Sequence, residues 1–159
     1  MNLFYELPQK SSIAKELLHY AMNEGEWHEY YNFHAMQVPD ELAFKDVTLR
    51  NLNHNHKLRV GILRLDPYVC YDWHVDTSRG VCVNMLLNDV ESKCLFSIEQ
   101  GEITRTFKEL KYKPETYYLF NNQVEHTVIN FTQSRYLMSV EFEEGKDVLT
   151  FNNLLKEII

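Results

Sequence analysis

Residues that interrupt or cross-link a chain are scarce in these 159 residues: five glycines, four prolines and three cysteines. No Pro-, Gly- or Ser-rich stretch divides the sequence and nothing recurs at a fixed period, which excludes a linker-joined pair of domains and a repeat array. Cys70, Cys82 and Cys94 are an odd, widely spaced set without a C-x-x-C pair, so neither a disulfide framework nor a zinc ribbon is indicated. They read as small buried hydrophobes. No apolar run approaches the length of a membrane-spanning helix, and the opening MNLFYELPQK lacks a basic region followed by an apolar one. The expectation is a cytoplasmic protein without a membrane partner. Basic residues are also short in supply, 16 against 23 acidic, for a formal charge of −7, so no nucleic-acid partner is expected.

What is present describes a globular chain: 45% of residues are hydrophobic and 13% aromatic. Ser11 and Ser12 are candidate caps for a helix that carries Ile13, Leu17, Leu18 and Ala21 on one face and stops at Gly25. The stretch from Glu26 to Asn55 has weak periodicity, with a helical hint around Glu41–Val47. From Leu58 the period becomes two. Strands are expected over 58–65, 71–76, 81–87, 93–98, 102–110, 116–120, 124–130 and 134–142, with a hairpin turn at Gln100-Gly101. Val148, Phe151, Leu155 and Ile158 fall at helical spacing. Eight short strands with tight turns predict a mainly β fold, a double-stranded β-helix of the jelly-roll or cupin-like kind. The expected organisation is a single domain: a helical or irregular packing segment over 1–57, the barrel core over 58–143, and a C-terminal helix over 147–159.

Within that frame, the stretch WHVDTSRG (73–80) places His74 and Asp76 two apart. On a strand, such residues share a face, and an ionised Asp76 turned inward is costly without a cation or donor. His126, in NNQVEHTVIN, is the one polar residue on an apolar stripe shared with Val124 and Val128. Two histidines and one carboxylate are the facial triad of non-haem Fe(II) oxygenases, which leaves three positions for a bidentate cosubstrate and O₂. Nine residues on, Arg135 opens the apolar strand SRYLMSVEF and calls for an anionic partner. A dicarboxylate that chelates iron at one end and meets the guanidinium fork at the other supplies one. The alternative for Arg135 is a surface pair with Glu141 or Glu143.

His74-x-Asp76, His126 and Arg135 together resemble the H-x-D…H…R signature of 2-oxoglutarate/Fe(II)-dependent dioxygenases. Within that superfamily, LRVGILRLDPYVCYDWHVD (58–76) and TYYLFNNQVEHTVINFTQSRYLMSVEF (116–142) look like the aspartyl/asparaginyl β-hydroxylase and proline cis-hydroxylase branch. The likeness runs from Leu58 to Phe142. It departs where Leu137 stands in place of the serine of R-x-S and where Tyr68 stands for a glycine.

The resemblance implies Fe(II) held by His74, Asp76 and His126, and 2-oxoglutarate as cosubstrate, with its distal carboxylate on Arg135. It also implies a polar contact to the cosubstrate from Asn84. The implied reaction is hydroxylation of an unactivated C–H of a small molecule or peptide side chain, with release of succinate and CO₂. The alternatives are a cupin-type metalloenzyme that does not use 2-oxoglutarate, or a non-catalytic ligand-binding barrel. Arg79 is a candidate for contact with substrate or cosubstrate, or a solvated turn residue. His54-x-His56 lies in an Asn-rich stretch with no third ligand nearby, and Tyr68, Tyr71 and Trp73 read as core or pocket lining.

Overall fold

The computed structural model describes residues 1–31 and 33–159. In chain order, β1 (Phe4–Lys10) is followed by α1 (Ala14–Asn23), β2 (His28–Tyr30), β3 (Phe33–Gln37), α2 (Asp40–Ala43) and α3 (Val47–Asn55). Then come β4 (Leu58–Leu65), β5 (Cys70–His74), β6 (Val81–Leu86), β7 (Ser92–Gln100) and β8 (Arg105–Glu109). After them lie β9 (Thr116–Asn121), β10 (His126–Asn130), β11 (Arg135–Phe142) and α4 (Phe151–Ile158).

The strands form a seven-stranded sheet in the order β1-β9-β6-β11-β4-β3-β2 and a four-stranded sheet in the order β5-β10-β7-β8. All pairings are antiparallel. From β4 to β7 successive strands alternate between the sheets, and β8 to β11 do so again after the β7–β8 hairpin. That winding is a double-stranded β-helix, as the strand pattern predicts.

The centre of the larger sheet is buried on both faces, which explains near-continuous apolar runs such as VCVNML in β6 and TYYLF in β9. Val60, Ile62, Val83, Leu119, Met138 and Val140 face the helices, where Leu17 of α1, Leu49 of α3 and Leu154 of α4 are fully buried. Each such leucine contributes roughly 1.5–3 kcal/mol by leaving water. The alternate residues Cys82, Tyr118 and Phe120 face the four-stranded sheet and pack with Cys94, Phe96 and Val124.

Residues 1–57 are not only helical and irregular: they add β1, β2 and β3 to the larger sheet. In β1, Pro8 and a register shift between Glu6 and Lys10 hide the strand pattern. Proline is tolerated there because β1 is an edge strand. The start of α1 also differs from expectation. Its N-cap is Ile13, and Ser11 Oγ accepts from Ile13 N at 3.2 Å instead of reaching into the helix. Ser12 donates to Asp46 Oδ2, while Asp46 Oδ1 caps α3 through Thr48 N and Leu49 N. No helix among the described residues is long and apolar enough to cross a membrane.

A histidine clamp secures the C-terminal helix. His56 Nδ1 lies 2.9 Å from Glu144 Oε1, and Nε2 lies 2.7 Å from Glu157 Oε2 on α4. Burial pulls the imidazole pKa down, but the two carboxylates outweigh it and the net shift is upward, while Glu144 is lowered by the same contact. The imidazole's contribution is therefore complete below its unfolded value of about 6.5 and disappears as pH rises through the raised folded value. The Glu144 contribution is present above its unfolded value and fades as pH falls through the lowered one. His56→Gln is expected to lower the melting temperature at pH 6 by more than at pH 9, which thermal scans at the two pH values will read directly.

Candidate functional site

His74 ends β5 and His126 begins β10, and the two are direct cross-strand partners. Their rings therefore project from the same face, with centroids 4.3 Å apart. A register irregularity between His126 and Val128 marks the spot. Asp76 is not on the strand as its spacing predicts. β5 stops at His74, and Asp76 lies in the following loop, placed by a hydrogen bond from its backbone N to Asn122 O at 3.1 Å. The loop still delivers the carboxylate: Asp76 Oδ1 is 3.5 Å from His74 Nε2 and 3.6 Å from His126 Nε2. The three residues offer one ligand atom each, all within 4.8 Å of one another.

The ring nitrogens facing away from this point are already committed. His74 Nδ1 sits 2.6 Å from Asp72 O, and His126 Nδ1 sits 2.7 Å from Val124 O. A carbonyl only accepts, so each Nδ1 carries a hydrogen, and a ring that is neutral has its Nε2 lone pair free for a cation beside Asp76. Burial lowers the His126 pKa to about 4, leaving that ring neutral near pH 7. For His74 burial acts in the same sense, but Asp76 and the Asp72 carbonyl prevail and raise its pKa. Asp76 shows the reverse: burial favours its neutral form, yet His74, Arg79 and His126 together lower its pKa. This donor set, two imidazole nitrogens and an ionised carboxylate oxygen converging on one point, suits a divalent ion with mixed N/O ligation.

Arg135, at the start of β11, is 3% exposed. Its Nε donates to Ser92 Oγ at 3.2 Å, and its guanidinium carbon lies 5.7 Å from the Tyr112 ring centroid. Among the described residues neither Glu141 nor Glu143 pairs with it; the strand register puts Glu141 opposite Arg59, six residues along β11. A buried guanidinium held, among the described residues, by a hydroxyl and an aromatic face is open to an anion. Nearby, burial pushes the Tyr112 phenol well above its usual range, with Cys94 adding to the rise and Arg135 and Asn84 opposing it. Burial likewise pushes the Cys94 thiol up to about 11. Asn84 is buried on β6, where its Oδ1 accepts from Cys82 Sγ at 3.4 Å.

Arg79 turns onto Asp76, with Nε 2.8 Å and Nη2 2.6 Å from Oδ2. Asn122 Nδ2 donates to the same oxygen at 2.9 Å. The contacts of Asn122 with Asp76, and of Ser92 and Tyr112 with Arg135, are ones that sequence reasoning misses. Asn122 sits four residues before His126 and reads there as a turn asparagine, while Ser92 and Tyr112 reach Arg135 only through the winding of the sheets.

A cleft of about 790 Å³ opens beside His74 and Asp76. Its floor is the inner face of β3, β4 and β11, with Gln37, Gly61 and Ser139 aligned in register. One wall is aromatic: Tyr30 to Phe33 to Tyr71 to His74, with successive centroids 5.5, 5.5 and 4.2 Å apart. His54 and His56 take no part in it, and His56 is engaged by Glu144 and Glu157.

No protein-family model and no curated protein matches this chain. Solved structures do. A Pseudomonas putida prolyl-4-hydroxylase aligns at a TM-score of 0.65 and 12% identity, covering 91% of this chain and 94% of that one. HygX from Streptomyces hygroscopicus, with nickel and 2-oxoglutarate bound, aligns at 0.64 and 13% identity over 94% and 85%. A Trichoplax adhaerens prolyl hydroxylase, in complex with a hypoxia inducible factor peptide fragment, aligns at 0.63 and 16% identity over 89% and 84%. At these identities the likeness is one of fold, and it extends over nearly the whole of both chains. The chain thus has the double-stranded β-helix fold of the 2-oxoglutarate-dependent Fe(II) oxygenases.

Proposed function

We propose that this protein is a 2-oxoglutarate- and Fe(II)-dependent oxygenase that hydroxylates an unactivated C–H of a small molecule or a peptide side chain, releasing succinate and CO₂. The observation that carries the reading is the pairing of two features inside one barrel. Three ligand atoms converge with both outward imidazole nitrogens already tied to carbonyls, and a buried arginine has no carboxylate partner among the described residues. The first feature alone fits any cupin-type metalloenzyme. Arg135 favours a dicarboxylate cosubstrate over that alternative and over a non-catalytic barrel.

In this reading His74, Asp76 and His126 hold the iron, and Arg135, with Ser92 and Tyr112 beside it, receives the distal carboxylate of 2-oxoglutarate. Asn84 lies on the inner face of the same sheet and supplies a neutral polar group. Fe(II) and 2-oxoglutarate, when bound, would activate O₂, the oxidant: one of its oxygen atoms goes to the C–H as hydroxyl and the other to succinate as 2-oxoglutarate loses CO₂. The protein's own contribution is position and dryness: Phe96 and Phe120 pack against His126, with centroids 6.0 and 4.8 Å away, and shield its side of the site from water. Substrate enters from the open cleft, and its aromatic wall and polar floor suit a compact molecule or a peptide side chain. The peptide-bound Trichoplax neighbour supports the latter. The sequence likeness over 58–76 and 116–142 supports placement in the aspartyl/asparaginyl β-hydroxylase and proline cis-hydroxylase branch, and a cytoplasmic site of action fits the cysteine usage.

The test is uncoupled turnover. Purified protein given Fe(II), ascorbate and 2-oxoglutarate should release succinate slowly without any substrate. The release should stop when either iron or 2-oxoglutarate is omitted. Succinate at the level of a protein-free control would overturn the assignment.

A further inference from the structure

We propose that Arg79 and Asn122 are positioning residues that restrict Asp76 to a single metal-facing oxygen. Asp76 would then bind a divalent ion through Oδ1 alone, and a coordination position is kept open for a chelating cosubstrate. This rests on the oxygenase reading and concerns how its metal seat is kept three-coordinate from the protein side.

The two oxygens of Asp76 have different surroundings. Oδ1 faces His74 Nε2 and His126 Nε2 at 3.5 and 3.6 Å. Oδ2 accepts from Arg79 Nε at 2.8 Å, Arg79 Nη2 at 2.6 Å and Asn122 Nδ2 at 2.9 Å. A free carboxylate binds a divalent ion through one oxygen or both. Here bidentate binding would turn Oδ2 away from charge-assisted hydrogen bonds, which are roughly twice as strong as neutral ones.

The loop that presents Asp76 is also fixed along its backbone. Gln123 Nε2 donates to Asp76 O at 3.0 Å and to Arg79 O at 2.7 Å, and Asn122 N donates to Gly80 O at 3.3 Å. Behind it, Lys146 N donates to Ser78 O at 2.9 Å, and a Cβ at Gly80 would stand 2.3 Å from Leu149 O. Only glycine permits that approach. The turn holding Asp76 is the same turn that leads into His126, so two ligands share one mounting.

An octahedral ion held by three protein atoms has three positions left, enough for a bidentate keto acid and one further ligand. A bidentate Asp76 removes one of them. Arg79 thereby protects the cosubstrate's place without touching the cosubstrate. Its positive charge beside the ligand also opposes the incoming cation, so its loss need not weaken metal binding.

The experiment uses Co(II) as a spectroscopic probe in wild type, Arg79→Gln, Arg79→Lys and Asn122→Ala. Co(II) affinity is measured by calorimetry, coordination by the d–d absorption, and 2-oxoglutarate affinity by titration of the loaded protein. The expected result is that Arg79→Gln keeps wild-type or tighter Co(II) binding, changes the d–d spectrum before any 2-oxoglutarate is added, and binds 2-oxoglutarate at least tenfold more weakly. Arg79→Lys should restore much of the wild-type spectrum, and Asn122→Ala should fall between. An unchanged spectrum and unchanged 2-oxoglutarate affinity in folded Arg79→Gln would overturn the proposal. So would Co(II) affinity, 2-oxoglutarate affinity and melting temperature falling together, because that is the mark of a merely structural residue. Failure of the wild type itself to bind Co(II) would instead sink the oxygenase reading, and this proposal with it.

Discussion

His126→Ala will lose Fe(II) affinity by a hundredfold or more while the barrel remains folded. Removing even an outer partner of a metal ligand costs about 10–100-fold, and this change removes a ligand. Two donors from His74 and Asp76 remain, and with the opposite ring gone the β5–β10 pair faces the ion from one strand only. The substitution also empties a buried position between Phe96, Phe120 and His74. The void should cost on the order of 2 kcal/mol, or roughly 4–8 °C of melting temperature for a chain of this size. Anaerobic equilibrium dialysis with Fe(II), alongside a thermal scan, separates the two effects. Wild-type iron affinity in the variant would remove His126 from the metal seat.

Arg135→Met will show opposite signs for binding and for stability. Methionine fills much of the same volume without the charge. Losing one side of a buried, hydrogen-bonded ion pair costs about 3–5 kcal/mol, which converts to a 2-oxoglutarate interaction weaker by roughly one hundredfold to several thousandfold. Iron binding should stay near wild type, because the guanidinium contacts Ser92 and Tyr112 and no metal ligand. In the cosubstrate-free protein the same substitution should leave the melting temperature unchanged or raise it, since a buried cation without a carboxylate partner is replaced by an apolar group. A parallel loss of iron affinity, or 2-oxoglutarate binding unchanged by the substitution, would contradict the role assigned to Arg135.

The barrel was legible where the physical signal is local. Strand β4 was expected over 58–65 and is found there, and β6, β9 and β11 depart by a residue at one end, because two-residue alternation and turn chemistry mark them. The N-terminal strands were not legible. β1 carries Pro8, while β2 and β3 span three and five residues, too short for a period to show. At the candidate site, the approach of His74 to His126 could be read from order and spacing. Asp76 was expected beside His74 for the wrong local reason: a strand face, where a loop pinned by Asn122 does the work. Ser92 and Tyr112 approach Arg135 from distant points in the chain, and only the crossing of strands between sheets brings them there. Arg79 is the sharpest case, since nothing in its spacing tells a solvated turn residue from one aimed at the Asp76 carboxylate.

The measurement that bears most directly on the central claim is an anaerobic titration of Fe(II)-loaded wild-type protein with 2-oxoglutarate, followed by visible absorption. The expected result is a metal-to-ligand charge-transfer band that requires both components and saturates at one equivalent of each. Folded protein that takes up iron and shows no band on adding 2-oxoglutarate would contradict it.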